Sequence, residues 1–242
     1  MNKLNNVDLE EIKIKLYEKL KPSGWGDKLK TFIMSEDFDR ILKFLLSEAQ
    51  QGKRFTPVMK QLFRAFEECP YKDLMVVTIS QDPYPQMRDG VPVSDGIPFS
   101  CSNTGVVEAS LRYMFKEVEE TVYKDGYTWD PNLARWSNQG VLMLNCALTT
   151  TLGKTGQHYK IWEPFMTFIF DMLTRNNPNL VYVFLGKKAA EWSDSIPDNN
   201  HKIFASHPAS AAYADAERWN SDDAFNKVNE YLQKAYNCKI VW

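Results

Sequence analysis

Three polar groups stand at the ends of apolar runs: Gln81-Asp82-Pro83-Tyr84 after VVTIS, Asn145 closing VLMLN, and His207-Pro208 after KIFAS. A carboxylate in such a place can orient a water, act as a base or stabilise nearby positive charge. An imidazole can donate to a developing anion, and an amide can read a carbonyl and an adjacent N–H together. Pro83 and Pro208 hold the residues before them to extended backbone, so Asp82 and His207 are aimed reproducibly. Taken singly, each residue has a plainer reading: an aspartate as turn or N-cap, an amide as a cap, a loop histidine as structural. His158 and His201 keep that plainer reading. Tyr84 and Phe99 offer a pocket wall and a flat stacking face, although aromatics near a strand end are more often core.

Short continuous apolar runs at 74–79, 141–145, 180–186 and 202–206 have the character of strands buried on both faces. Helical spacing is expected over 8–20, 38–51 and 58–69, the last with Thr56 as N-cap and Pro57 at the first helical position. Further helices at 110–122, 163–175 and 187–193 separate the strands, and one at 222–235 follows with Ser221 as N-cap. This alternation predicts an α/β fold: a single domain over 1–242 with a central four-stranded parallel sheet flanked by helices, residues 1–24 forming a helical N-terminal extension. The carboxyl ends of parallel strands share one edge, where ligands bind. Asp82, Asn145, the turn at Gly186-Lys187 and His207 are therefore expected to converge there.

The 242 residues, 44% hydrophobic, suffice for one sizeable core. Cys69, Cys101, Cys146 and Cys238 lie far apart without metal-ligand spacing, which suggests neither zinc nor a disulfide framework and points to a reduced, intracellular setting. The N-terminus lacks an apolar signal core and no run reaches membrane-spanning length, so no membrane partner is expected. A net charge of -2 does not advertise a nucleic-acid partner, and whole-chain charge does not exclude a local basic face. There is no GxSxG elbow, P-loop, GxGxxG fingerprint or acidic metal cluster, which leaves a chance assembly on an unrelated α/β hydrolase little support.

From about residue 25 to 242 the chain resembles the family 1 uracil-DNA glycosylases. SQDPY resembles the family's water-activating GQDPYH, GIPFS its GLAFS, QGVLMLNCALTT its strand ending in the uracil-reading asparagine, and HPAS the start of its HPSPLS loop. Smaller echoes, FLGKKAAEW, FNKVNEYL and the final IVW, follow in family order. The resemblance implies hydrolysis of the N-glycosidic bond of deoxyuridine in DNA, releasing uracil without metal or organic cofactor. It assigns Asp82 and His207 to catalysis, and Gln81, Tyr84, Phe99 and Asn145 to uracil, with Tyr84 crowding the position of thymine's methyl. DNA contacts fall to Ser110, Lys187, Ser210, Ala211 and Tyr213. Implied partners are uracil-containing DNA, single- or double-stranded, and a proteinaceous inhibitor; a monomer is expected. The alternative is a glycosylase-like DNA-binding or replication-processivity scaffold.

Departures mark a divergent member. Pro85 replaces the usual histidine and HPA replaces HPS, as in poxvirus members, and the segment 86–95 is longer than the usual connection. Lys187 stands in place of a phosphate-binding serine. Ala211 aligns with the leucine pushed into the base stack during flipping, so weaker excision from duplex is expected unless Tyr213 or the loop around Met87 supplies the wedge.

Overall fold

The computed structural model describes residues 8–124 and 126–242; residues 1–7 of the expected N-terminal extension lie outside them. Helix α1, Leu9–Leu20, opens on Asp8, whose side chain accepts from the Glu10 and Glu11 amides. Two more helices follow, α2 at Trp25–Ile33 and α3 at Glu36–Gln50, the latter capped by Ser35. The α2 segment, missed in the sequence because glycines flank its first residue, is anchored by Trp25, fully buried with its indole N–H donating to the Cys69 carbonyl at 2.6 Å.

The helix expected over 58–69 is broken. Phe55–Thr56 forms a short strand, β1, antiparallel to β6 at Thr150–Thr151. A 3-10 turn at Met59–Gln61 then leads to α4, Arg64–Glu68. Thr56 thus takes part in a β-pair and caps no helix. The apolar spacing that suggested one helix buries Leu62, Phe63, Ala65 and Phe66 from two short turns. Packing against Phe165 and Trp162 decides the backbone there, overriding local periodicity.

The central sheet is four-stranded and parallel, in the order β5-β2-β7-β8. Its strands are β2 at Val76–Ser80, β5 at Val141–Asn145, β7 at Val181–Leu185 and β8 at His201–Ala205, each within two residues of the expected bounds. β2, β5 and β7 are buried along their whole length, which is why they read as unbroken apolar runs. Chain order reverses at β2, which has β5 on one side and β7 on the other. That is the switch point at which an open α/β sheet leaves a crevice.

Between β2 and β5 the longer segment forms a hairpin of β3, Met87–Arg88, and β4, Val91–Pro92, turning through Asp89 and Gly90 at positive φ. Asp-Gly is the residue pair such a two-residue turn favours. Arg88 pins the hairpin by a bidentate pair with Glu108 at 2.9 and 3.0 Å. Then come α5, Ala109–Val118, and α6, Ala134–Ser137.

Helix α7, Tyr159–Asn176, begins before the expected 163 and carries Pro164 inside it. Buried Trp162, donating to Thr149 Oγ1 at 2.7 Å, anchors the added turn. His158 just before it is a core residue, its ring nitrogens 2.8 and 3.1 Å from the Thr149 and Thr151 hydroxyls. Helix α8 spans Lys187–Ala190, α9 Pro208–Tyr213 and α10 Ala224–Tyr236. Ser221 accepts from the Ala224 amide at 3.1 Å and donates to buried Glu117, so it holds the entry to α10 although the helix starts later than expected. Among the described residues no helix is long and apolar enough to cross a membrane.

Candidate active site

A cavity of about 100 Å³ opens at the carboxyl edge of the sheet, lined among others by Gln81, Asp82, Tyr84, Phe99, Asn145 and His207. Ser110 and Tyr213 also reach it, as do Ser80, Thr155 and Ala209, which the sequence did not single out. Ser80 and Asn145 are register partners in neighbouring strands, so Asp82 and Asn145 leave the sheet side by side.

Asp82 is partly buried and accepts at Oδ2 from the Gly156 amide at 2.6 Å. Burial raises its carboxyl above the usual range, while the Gly156 amide and the nearby Thr150 and Tyr159 side chains pull it back. The Asn145 side chain is 6% exposed and makes no hydrogen bond among the described residues. Lining the cavity with its donor and acceptor both free, this amide suits a ligand that offers both a carbonyl and an N–H.

His207 occupies the N-cap of α9 with Pro208 at the first helical position, and its Nδ1 accepts from the Ala209 amide at 3.1 Å. A neutral ring accepting at Nδ1 carries its proton on Nε2. Nε2 lies 3.1 Å from the Ser80 hydroxyl. Burial depresses the imidazole to about 4, so at neutral pH the ring is an uncharged donor. Gly186, with φ +95, lets the two segments approach: a Cβ there would sit 2.8 Å from the His207 Cβ.

Phe99 is buried beside His207, ring centroids 5.4 Å apart, and its backbone lies at φ +63. That left-handed conformation costs a bulky residue about 1–3 kcal/mol, and the surroundings must hold it. Asp95 does so. Fully buried, it accepts from the Ile97 and Ser102 amides and the Ser100 and Ser102 hydroxyls, and pairs with Arg64 at 2.6 Å. Sequence reasoning missed Asp95 and Arg64; the only signal was an Asp-Gly turn pair in SDGIPFS. The Tyr84 hydroxyl is buried near Ser110 and the Leu111 amide without hydrogen-bond geometry to either, and burial pushes it well above its ordinary value.

The expected DNA contacts separate into two sets. Ser110 and Tyr213 border the cavity, Tyr213 being 87% exposed. Lys187 is exposed at the start of α8, and Ser210 is exposed with its hydroxyl donating to the His207 carbonyl at 2.7 Å. Ala211, expected at the wedge position, is instead buried on the inner side of α9 and does not face the opening. Among the described residues no group of three or more His, Cys, Asp or Glu side chains is placed to hold a metal ion.

Comparison with known proteins leads to the same chemistry. The family model described as "Uracil DNA glycosylase superfamily" matches residues 66–233. The uracil-DNA glycosylase of Christiangramia forsetii is 31% identical over 220 residues, covering 90% of this chain and 97% of its own. That of Phocaeicola vulgatus is 33% identical over 225 residues with the same coverage. Among solved structures, mimivirus uracil-DNA glycosylase superposes with a TM-score of 0.82 at 26% identity, covering 98% of this chain and 89% of that one. A mimivirus UNG variant in complex with UGI gives 0.81 at 27% identity, covering 98% and 91%. With its family's motifs gathered on one cavity, the chain belongs to the uracil-DNA glycosylase superfamily.

Proposed function

We propose a division of labour among the cavity residues for uracil excision from DNA, the hydrolytic base-excision-repair activity that this chain carries as a member of its family. The target nucleotide leaves the base stack, at a cost of roughly a few kcal/mol in duplex. Uracil then lies against Phe99, its O4 and N3–H read by the Asn145 amide, while Tyr84 bars a methyl at C5. As the glycosidic bond breaks, its electron pair leaves on uracil and positive charge grows on the sugar. Asp82 stabilises that charge and orients the water whose oxygen bonds to the anomeric carbon, the water's proton passing to the carboxylate. His207, uncharged with its proton on Nε2, donates to uracil O2, assisted by the Gln81 and Asp82 amides.

The observation that carries this reading is the unpartnered Asn145 amide in the same cavity as Asp82 and a tautomerically fixed His207. Purified protein is incubated with a uracil-containing oligonucleotide in EDTA and then treated with alkali. Cleavage at uracil is expected from the wild type, and complete uracil release by an Asp82→Asn, His207→Leu double mutant would sink the assignment.

DNA is held by Ser110, Lys187, Ser210 and Tyr213 around the opening, phosphate contacts needing hydroxyls and amides more than net charge. Tyr213, exposed at the rim, is the wedge that replaces the buried Ala211 side chain. A proteinaceous inhibitor would bind the same edge, as supported by the mimivirus relative solved with UGI. The chain acts as one monomeric unit of this kind, with α1, Leu9–Leu20, packed on α2.

A further inference from the structure

The Gly156 amide that holds Asp82 belongs to the loop between β6 and α7, three residues before Tyr159, the first residue of α7. Gly156 has φ +70, and a Cβ built on it would meet the Tyr159 ring at 3.3 Å, so the ring lies flush against this backbone. The ring is fixed on its other sides. His158, immediately before it, is locked by the Thr149 and Thr151 hydroxyls. From α8 the Lys188 ammonium sits 5.0 Å from the ring centroid and is itself held by Glu191 at 2.5 Å. Tyr159 also borders a cleft beside the active site, together with Cys146 and Lys188.

We propose that Tyr159 is a positioning residue for Asp82: its ring clamps the Gly156 amide onto the carboxylate, and its hydroxyl lends polar support. This inference rests on the reading of Asp82 as the residue that orients water. The hydroxyl lies near enough to act on the carboxylate, although outside strict hydrogen-bond geometry. Burial raises the phenol well above its ordinary value, with the charge of Asp82 adding to it, so the hydroxyl stays protonated as a donor. The other titratable groups near Asp82 are Cys146, pushed by burial up to about 12 and so uncharged, and His207 on the same cavity, uncharged at neutral pH. Behind Tyr159 the Lys188 charge is offset by Glu191. Tyr159 is therefore the neighbour whose removal should be felt by Asp82 alone.

The test is single-turnover excision on a uracil-containing single strand, across pH, for Tyr159→Phe, Tyr159→Ala and each combined with Asp82→Asn. Losing a donor near a carboxylate raises its pKa, so Tyr159→Phe should move the acid limb of the rate to higher pH by up to about one unit, with less than about twofold loss at pH 8. Tyr159→Ala frees the amide and should lower the chemical rate by about 10- to 100-fold, with half-saturation by DNA changed less than about twofold. In the Asp82→Asn background neither change should have a further effect. A loss confined to Tyr159→Ala and absent beside Asp82→Asn keeps the role and assigns it to the ring.

Rates within twofold of wild type for both variants would overturn the proposal, as would a loss of equal size in the Asp82→Asn background. Tyr159→Phe retains the ring, so it reports on Asp82 even where Tyr159→Ala unfolds. Wild-type activity in Asp82→Asn itself would overturn the reading of the active site, a different result from silent Tyr159 variants beside a crippled Asp82→Asn.

Discussion

The floor of the cavity and its rim are built on opposite principles. On the floor, Asp82, Phe99 and His207 are each tied to a neighbouring backbone amide or to a buried hub, and Asn145 is the group left to bind. On the rim, Lys187 makes no hydrogen bond or ion pair among the described residues, Ser210 bonds to its own turn, and Tyr213 stands in solvent. The floor must present donors where charge develops, and preorganised groups need no reorganisation at that moment. In the proposed function the rim meets a flexible polymer, where exposed side chains settle only when the partner arrives. The difference teaches that chemistry and DNA engagement can be impaired separately here.

The deepest way to break the floor is through Asp95. Asp95→Ala leaves the Arg64 guanidinium and four other donors facing a void. Removing one partner of a buried pair costs about 3–5 kcal/mol, which denaturant melting should register as a loss of that size. Next comes the chemistry. Asp82→Asn and His207→Leu should each lower single-turnover excision by about 10² to 10³-fold on single-stranded and duplex DNA alike, with binding little changed.

The rim should respond selectively. Tyr213→Ala is expected to lower excision from U:A and U:G duplexes by about tenfold and leave single-stranded substrate within twofold, since a stacked aromatic contributes about 1–3 kcal/mol. Equal losses on all three substrates would remove Tyr213 as wedge. Ala211→Leu, attractive from alignment alone, should instead destabilise the protein by about 1–3 kcal/mol through overpacking of α9, with no gain on duplex.

A further effect is one of pH. Because burial lowers His207 from 6.5 to about 4, the unfolded chain binds the more protons between those values. Stability from this group is therefore full above pH 6.5 and declines as pH falls toward 4. The excision rate should show no inflection near 6.5 that His207→Leu abolishes.

Much of this was legible in the linear chain. Three strands, β2, β5 and β7, were readable because strands covered on both faces must be apolar throughout, whereas edge strand β8 buries only Ile203 fully; the residues after the strands were readable because strand ends on one edge must carry the ligand-facing groups. The helix read over 58–69 was misplaced because its spacing reports burial, and two short turns bury the same side chains as one helix. The burial of Ala211 was not legible for a related reason: motif order specifies a position in a loop but not which way a short helix turns it.

By itself, the sequence determined the sheet, the motif order and the identities of Asp82, Asn145 and His207, since apolar runs and residue chemistry are local properties of the chain. Only the tertiary structure decided how those groups are held. The Asp95 hub under Phe99, the Ala209 amide that sets the His207 tautomer, and the Gly156 amide under Tyr159 are contacts of specific geometry. Two of them, Arg64 with Asp95 and Gly156 with Asp82, join segments distant in sequence, and a hydrogen bond's direction and a buried group's desolvation exist only once the chain has packed.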